Sequence, residues 1–134
     1  MGIYVNPNNV TFQKCLNSPI YVDKSMLIAE INKTVNSEKC FVCVSRARRF
    51  GKTMAGNMLS AYFSKGCNSR ELFADLKIAK DASFEKYQNK LNVIKFDLNT
   101  FYSNRTKDEI LSQIAMNNSA TFRTAKCVAR SRRI

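Results

Sequence analysis

The sequence predicts an α/β fold: part of a parallel sheet flanked by helices, with an incomplete core. Three observations lead there. Cys40-Phe41-Val42-Cys43-Val44 is a continuous apolar run of the kind that forms a strand covered on both faces. A helical apolar pattern runs from Thr53 to Ser64. Between the two lies Ser45-Arg46-Ala47-Arg48-Arg49-Phe50-Gly51-Lys52-Thr53. Strand, tight loop, Gly-Lys-Thr and helix is the layout of a phosphate-binding P-loop, which makes the expected fold a partial P-loop NTPase.

Each part of that loop has a chemical reason. A helix N-terminus leaves backbone N–H groups unpaired and carries partial positive charge, so it attracts phosphate. Gly51 lets the backbone approach an anion closely. The expected nucleotide-binding residues are Arg49, Phe50, Gly51, Lys52, Thr53 and Met54. In this arrangement the Lys52 ammonium reaches the β- and γ-phosphates, and the Thr53 hydroxyl is the expected Mg²⁺ ligand. The usual pattern has a second glycine where this chain has Arg46, and arginine does not take positive φ cheaply. Either the loop is entered differently, or the segment is a basic turn with a chance Gly-Lys-Thr.

The remaining elements follow in chain order. Residues 1–19 read as irregular, broken by Asn6-Pro7 and Ser18-Pro19. Ile20-Tyr21-Val22 reads as a short strand. Asp23 can cap a helix from about Lys24 to Val35, with Leu27, Ile28, Ile31 and Val35 on its apolar stripe. The helix after Thr53 aligns Met54, Met58 and Tyr62, with Ala55, Leu59 and Phe63 beside them. Gly56 weakens that helix unless it permits close packing, and Gly66 is placed to end it. Asn68 with Glu71 three residues on opens a short helix carrying Leu72, Phe73 and Leu76. Residues 81–90 read as a helix or turn with Phe84 and Tyr87 on one face. Asn92 to Leu98 reads as the next strand, ending at Asp97, which is either a magnesium-binding acid or an ordinary strand-end carboxylate. Thr106-Lys107-Asp108-Glu109 is a capping box ahead of Ile110, Leu111 and Ile114.

The totals set limits. The chain has 134 residues, room for one small domain. No run reaches the ~20 apolar residues of a membrane span, and the first ten residues lack a signal-peptide pattern, so a cytoplasmic protein without membrane contact is expected. There are five cysteines and no histidine. With no second pair and no histidine, Cys40-x-x-Cys43 is expected to be two reduced core thiols, not a zinc site. The net charge is +12. Thr121 to Ile134 holds five basic residues and no acid. This excess suits a nucleotide or a nucleic acid as partner, and equally a solvated basic surface.

Several separated segments resemble one family. Ser45-Arg46-x-Arg48-Arg49-Phe50-Gly51-Lys52-Thr53 is similar to the variant P-loop of bacterial and archaeal AAA-ATPase-like proteins, which often carry a PD-(D/E)XK nuclease-like domain further along. Gly2-Ile3-Tyr4-Val5-Asn6-Pro7, Ile20-Tyr21-Val22-Asp23-Lys24-Ser25, Tyr62-Phe63-Ser64-Lys65-Gly66-Cys67, Ser69-Arg70-Glu71-Leu72-Phe73 and Asn92-Val93-Ile94-Lys95-Phe96-Asp97 occur in the same order. The resemblance spans about residues 1–115 and makes arginine at position 46 ordinary. Ala47 departs from it, since proline is usual there. The resemblance implies ATP as the nucleotide, with Mg²⁺. It also offers Tyr21 and Asp23 as residues near the base, against the simpler roles of core tyrosine and helix cap.

The expected domain is therefore 1–115, the N-terminal part of an AAA-ATPase-like P-loop domain. Residues 116–134 read as a basic tail outside it, as a truncated or out-of-frame end would. No acidic pair, water-orienting residue or trans-acting arginine can be named. The expected function is thus an ATP-binding module with weak or no hydrolysis of its own, a truncated AAA-type ATPase. The alternative is a basic nucleic-acid-binding or non-functional remnant fragment. The sequence sets no oligomeric state.

Overall fold

The computed structural model of the chain describes residues 5–97. Helix α1 spans Val10–Leu16, α2 Met26–Thr34 and α3 Lys52–Phe63. Two single-turn helices, α4 at Arg70–Phe73 and α5 at Phe84–Tyr87, flank a 3₁₀ turn at Lys77–Lys80.

Aromatic rings make the core. Phe12 of α1 stacks on Phe73 of α4 with centroids 5.0 Å apart, and Tyr62 of α3 meets Phe73 edge-on at 5.7 Å. Ile28, Met58, Ala61, Ile78 and Phe84 complete it. Rings that bury this much area dominate a small core, and offset or edge-on pairs add to it. The Tyr62 hydroxyl is buried with them and satisfied: it donates to the Phe84 carbonyl at 2.6 Å and accepts from Asn32 Nδ2 at 3.1 Å. Both helical stripes read from the sequence point inward, with Ile28 of α2 and Met58 and Tyr62 of α3 fully enclosed.

Helix α3 is stopped by a distant side chain. Its last carbonyls have no partners within the helix. Asn89 Nδ2 donates to the Ala61 and Ser64 carbonyls at 3.1 and 2.8 Å, and the Asn89 and Leu91 amides take those of Tyr62 and Phe63. Ser64, extended, follows the last helical residue. Gly66 does not take the left-handed conformation expected of a helix-ending glycine. Among the described residues nothing lies within 4 Å of a Cβ placed on Gly56, so no close packing there calls for a glycine.

The expected parallel sheet is absent from the described residues. Among the described residues there is no strand, and the extended pairing consists of two isolated bridges, Val5 with Ile94 and Ser64 with Leu91. The reason is that a strand exists only where a neighbour takes its N–H and C=O groups. Residues 20–22 and 39–44 carry strand-like side chains, but among the described residues neither forms a bridge. Phe41 is 95 % exposed, and Cys40 and Cys43 are exposed as well, not core thiols. The protein is a helical assembly over the described residues, and the partial P-loop NTPase fold read from the sequence is incorrect for them.

The first segment is also more ordered than expected. Residues 1–19 contain α1, whose Phe12, Cys15 and Leu16 follow helical spacing and pack on the core. The Asn8 side chain starts it by accepting from the Val10 amide at 3.3 Å. The expected capping box at Thr106, its helix and the basic tail from 116 lie outside the described residues.

Candidate phosphate-binding site

The loop before α3 is shaped by two left-handed residues. Gly51 precedes the helix with φ +79°, and Arg49 has φ +64°. A glycine adopts this conformation freely; an arginine does so at a cost of about 1–2 kcal/mol. The Gly51 carbonyl accepts the first helical bond, from Ala55 at 2.9 Å. No side chain caps the N-terminus of α3 and no acid lies in its first turn. The partial positive charge there is unopposed within the helix.

Two lysines tie the loop from different directions. The Lys52 ammonium folds back over it and donates to the Ala47 carbonyl at 2.9 Å and to that of Arg46. Lys24, from the segment leading into α2, donates to the Phe50 carbonyl at 3.1 Å. Its Nζ stands 3.5 Å from where a Cβ on Gly51 would lie. Arg46, Arg48 and Arg49 are exposed around this ring of carbonyls.

A cavity of about 250 Å³ opens beside the loop. Ile20, Tyr21 and Val22 form one wall, Met54, Ala55 and Met58 of α3 another, and Lys24, Arg49, Phe50 and Gly51 close it. Tyr21 is turned edge-on to Phe12 at 6.4 Å, so it is both core and cavity wall. Burial, with the nearby Asp23 carboxylate, pushes its hydroxyl up to about 12.

Asp23 takes the structural role. Its Oδ1 accepts from the Ser25 amide at 2.7 Å and its Oδ2 from the Lys77 amide at 2.9 Å. Burial opposes ionisation, but the bonds from Lys77 and Ser25 outweigh it and hold the carboxyl below its ordinary value. The carboxylate clasps the 3₁₀ turn to the start of α2. It is not among the residues lining the cavity.

The family model described as Predicted AAA-ATPase matches residues 11–132, which is most of the chain. The chain belongs to the AAA-ATPase-like family. No curated protein and no solved structure matches it.

Membership links this AAA-ATPase-like chain to nucleotide use at the level of the family. Of the six expected binding residues, Arg49, Phe50 and Gly51 form the bend of the loop, while Lys52, Thr53 and Met54 form the first turn of α3. Lys24 lies far from the loop in sequence, and the tertiary contact with the Phe50 carbonyl alone brings it there. Asp97 is exposed, and Lys95, two residues before it, donates to Asn57 of α3. Among the described residues no helix is long and apolar enough to cross a membrane.

Proposed function

We propose that the chain binds ATP with Mg²⁺ through Arg49, Phe50, Gly51, Lys52, Thr53 and Met54. One observation carries the reading: in a member of a family of predicted ATPases, Gly51 bends left-handed into an uncapped helix while Lys52 closes the loop ahead of it. The residues fit a polyanion. Among the described residues, chain neighbours aside, Lys24 Nζ alone comes within 4 Å of a Cβ added at Gly51. The Lys52 ammonium, held by neutral carbonyls, gains charge-assisted bonds when phosphate oxygens take their place. The Thr53 hydroxyl is the side-chain oxygen nearest in sequence to Lys52 that can face Mg²⁺. Bound magnesium supplies neutralisation of phosphate charge. The apolar cavity is below the roughly 300 Å³ at which ligand clefts begin, so it has room for a base and not for a whole nucleotide. Tyr21 is the ring placed against that base.

The groups around the loop are cations, amides and hydroxyls, which hold a nucleotide. The reading is therefore of a binding module with weak or no hydrolysis of its own. Titration with ATP, with and without Mg²⁺, tests it on the full chain and on Lys52→Ala. A loss of at least about tenfold in the variant is expected, and unchanged affinity refutes the site. The second reading, nucleic-acid binding, rests on the exposed Arg46, Arg48 and Arg49. It predicts affinity that falls steeply with salt and survives Lys52→Ala.

A further inference from the structure

The cavity and the loop share a seam. Arg49, Phe50 and Gly51 belong to both, and the Lys24 ammonium lies on that seam, 3.1 Å from the Phe50 carbonyl. Lys52 is anchored at the other end of the loop, on the carbonyls of Arg46 and Ala47. The two ammonium groups therefore stand at different stations along any ligand that runs from the cavity across Gly51 onto α3.

The base of Lys24 is rigid although its tip is exposed. On one side Asp23 is clasped to the Lys77 amide at 2.9 Å. On the other, Ser25 is fully buried, and its Oγ accepts from the Ile78 amide at 3.1 Å. Both neighbours are thus fastened to the same 3₁₀ turn, and the lysine projects from a fixed point. A cation placed in advance loses less freedom on binding than one that must be recruited.

We propose that Lys24 is a phosphate-contacting residue that takes the phosphate next to the sugar, the one shared by nucleoside mono-, di- and triphosphates. This rests on the nucleotide-binding reading above. A base in the cavity puts that first phosphate over the seam at Gly51, within reach of Lys24. The later phosphates lie toward the turn that Lys52 opens. The Phe50 carbonyl is a neutral acceptor, and a phosphate oxygen is a charged one, so the ammonium gains by changing partners.

The test measures binding of adenosine, AMP and ATP to the full chain and to Lys24→Met, Lys24→Arg and Lys52→Ala. Thermal melts accompany each variant. The expected result is that Lys24→Met weakens AMP and ATP alike, by about tenfold, and leaves adenosine within about twofold. Lys24→Arg keeps most of the affinity. Lys52→Ala penalises ATP more than AMP. Equal losses for adenosine and AMP in Lys24→Met would make the lysine a structural prop and overturn the inference. A loss for ATP without one for AMP would place its contact further along the chain of phosphates and overturn it too. If Lys52→Ala behaves as expected while Lys24→Met binds like the parent, the inference alone falls. If the parent chain binds none of the three, both readings fall together.

Discussion

Gly51 and Gly56 stand a little over one turn apart, and alanine is expected to act in opposite directions at the two. Gly56 is inside α3, and among the described residues nothing lies within 4 Å of a Cβ added there. The methyl group meets no obstacle, and the unfolded chain loses freedom, so Gly56→Ala should stabilise by about 0.5–1 kcal/mol. At Gly51 the backbone sits at φ +79°. A side chain in that conformation costs about 1–2 kcal/mol. The substituted Cβ itself finds Lys24 Nζ at 3.5 Å, an ordinary contact, so the penalty comes from the backbone and not from a clash. With about 3–5 °C of melting temperature per kcal/mol for a chain of 134 residues, the two variants should melt roughly 10 °C apart, on either side of the parent. Thermal denaturation followed by circular dichroism, with urea midpoints at constant slope, measures this. A Gly56→Ala variant that melts below the parent would mean that some group covers that face of α3. A Gly51→Ala variant that melts like the parent would mean that the left-handed turn is not adopted, and the loop geometry would fall with it.

Other outcomes follow from single contacts. Asn89→Ala should destabilise by about 1–3 kcal/mol, because it leaves the Ala61 and Ser64 carbonyls with the weak Cys67 thiol as donor and takes the Asn89 side-chain acceptor from the Ser69 amide; chemical denaturation reads this, and a neutral result rejects Asn89 as the cap of α3. Tyr21 should ionise near pH 12 against the ordinary 10, seen as a late step in the ultraviolet titration of the tyrosines. Its folded value is raised, so the stability it contributes is complete below pH 10 and is lost as pH climbs toward 12. Asp23 runs the other way. Its folded value is lowered, so its contribution is present above its unfolded value near 4 and is lost as pH falls through the lower folded one. Asp23→Asn should flatten that acid limb of the stability curve, and a limb unchanged by the substitution would remove the clasp from the account.

The legible parts were those whose causes are local. The stripes of α2 and α3 could be read because residues three and four apart share a helix face whatever surrounds them, and Ile28, Met58 and Tyr62 are indeed inside. Helix α1 carried the same signal in Phe12, Cys15 and Leu16, but so short a segment between Asn6-Pro7 and Ser18-Pro19 reads as a break. The loop was legible as a motif, with glycine at 51 read as a point of close backbone approach; the backbone there is left-handed, a conformation glycine takes freely. Left-handed Arg49 had no such sign, because arginine seldom takes that conformation. The end of α3 was misplaced at Gly66 because its actual cap, Asn89, comes from a distant part of the chain.

By itself, then, the order of residues determined where α2 and α3 coil, where the glycine-containing loop between apolar run and helix lies and which family the chain resembles. Whether 39–44 pairs, which lysine leans on Phe50 and what stops α3 were decided only by the tertiary structure. The physical reason is range. A helix closes its hydrogen bonds within a few residues, so its sequence carries its own instructions. A strand, a cap from afar or a cation across a loop is completed by a partner elsewhere, and no pattern inside the segment can say whether that partner arrives.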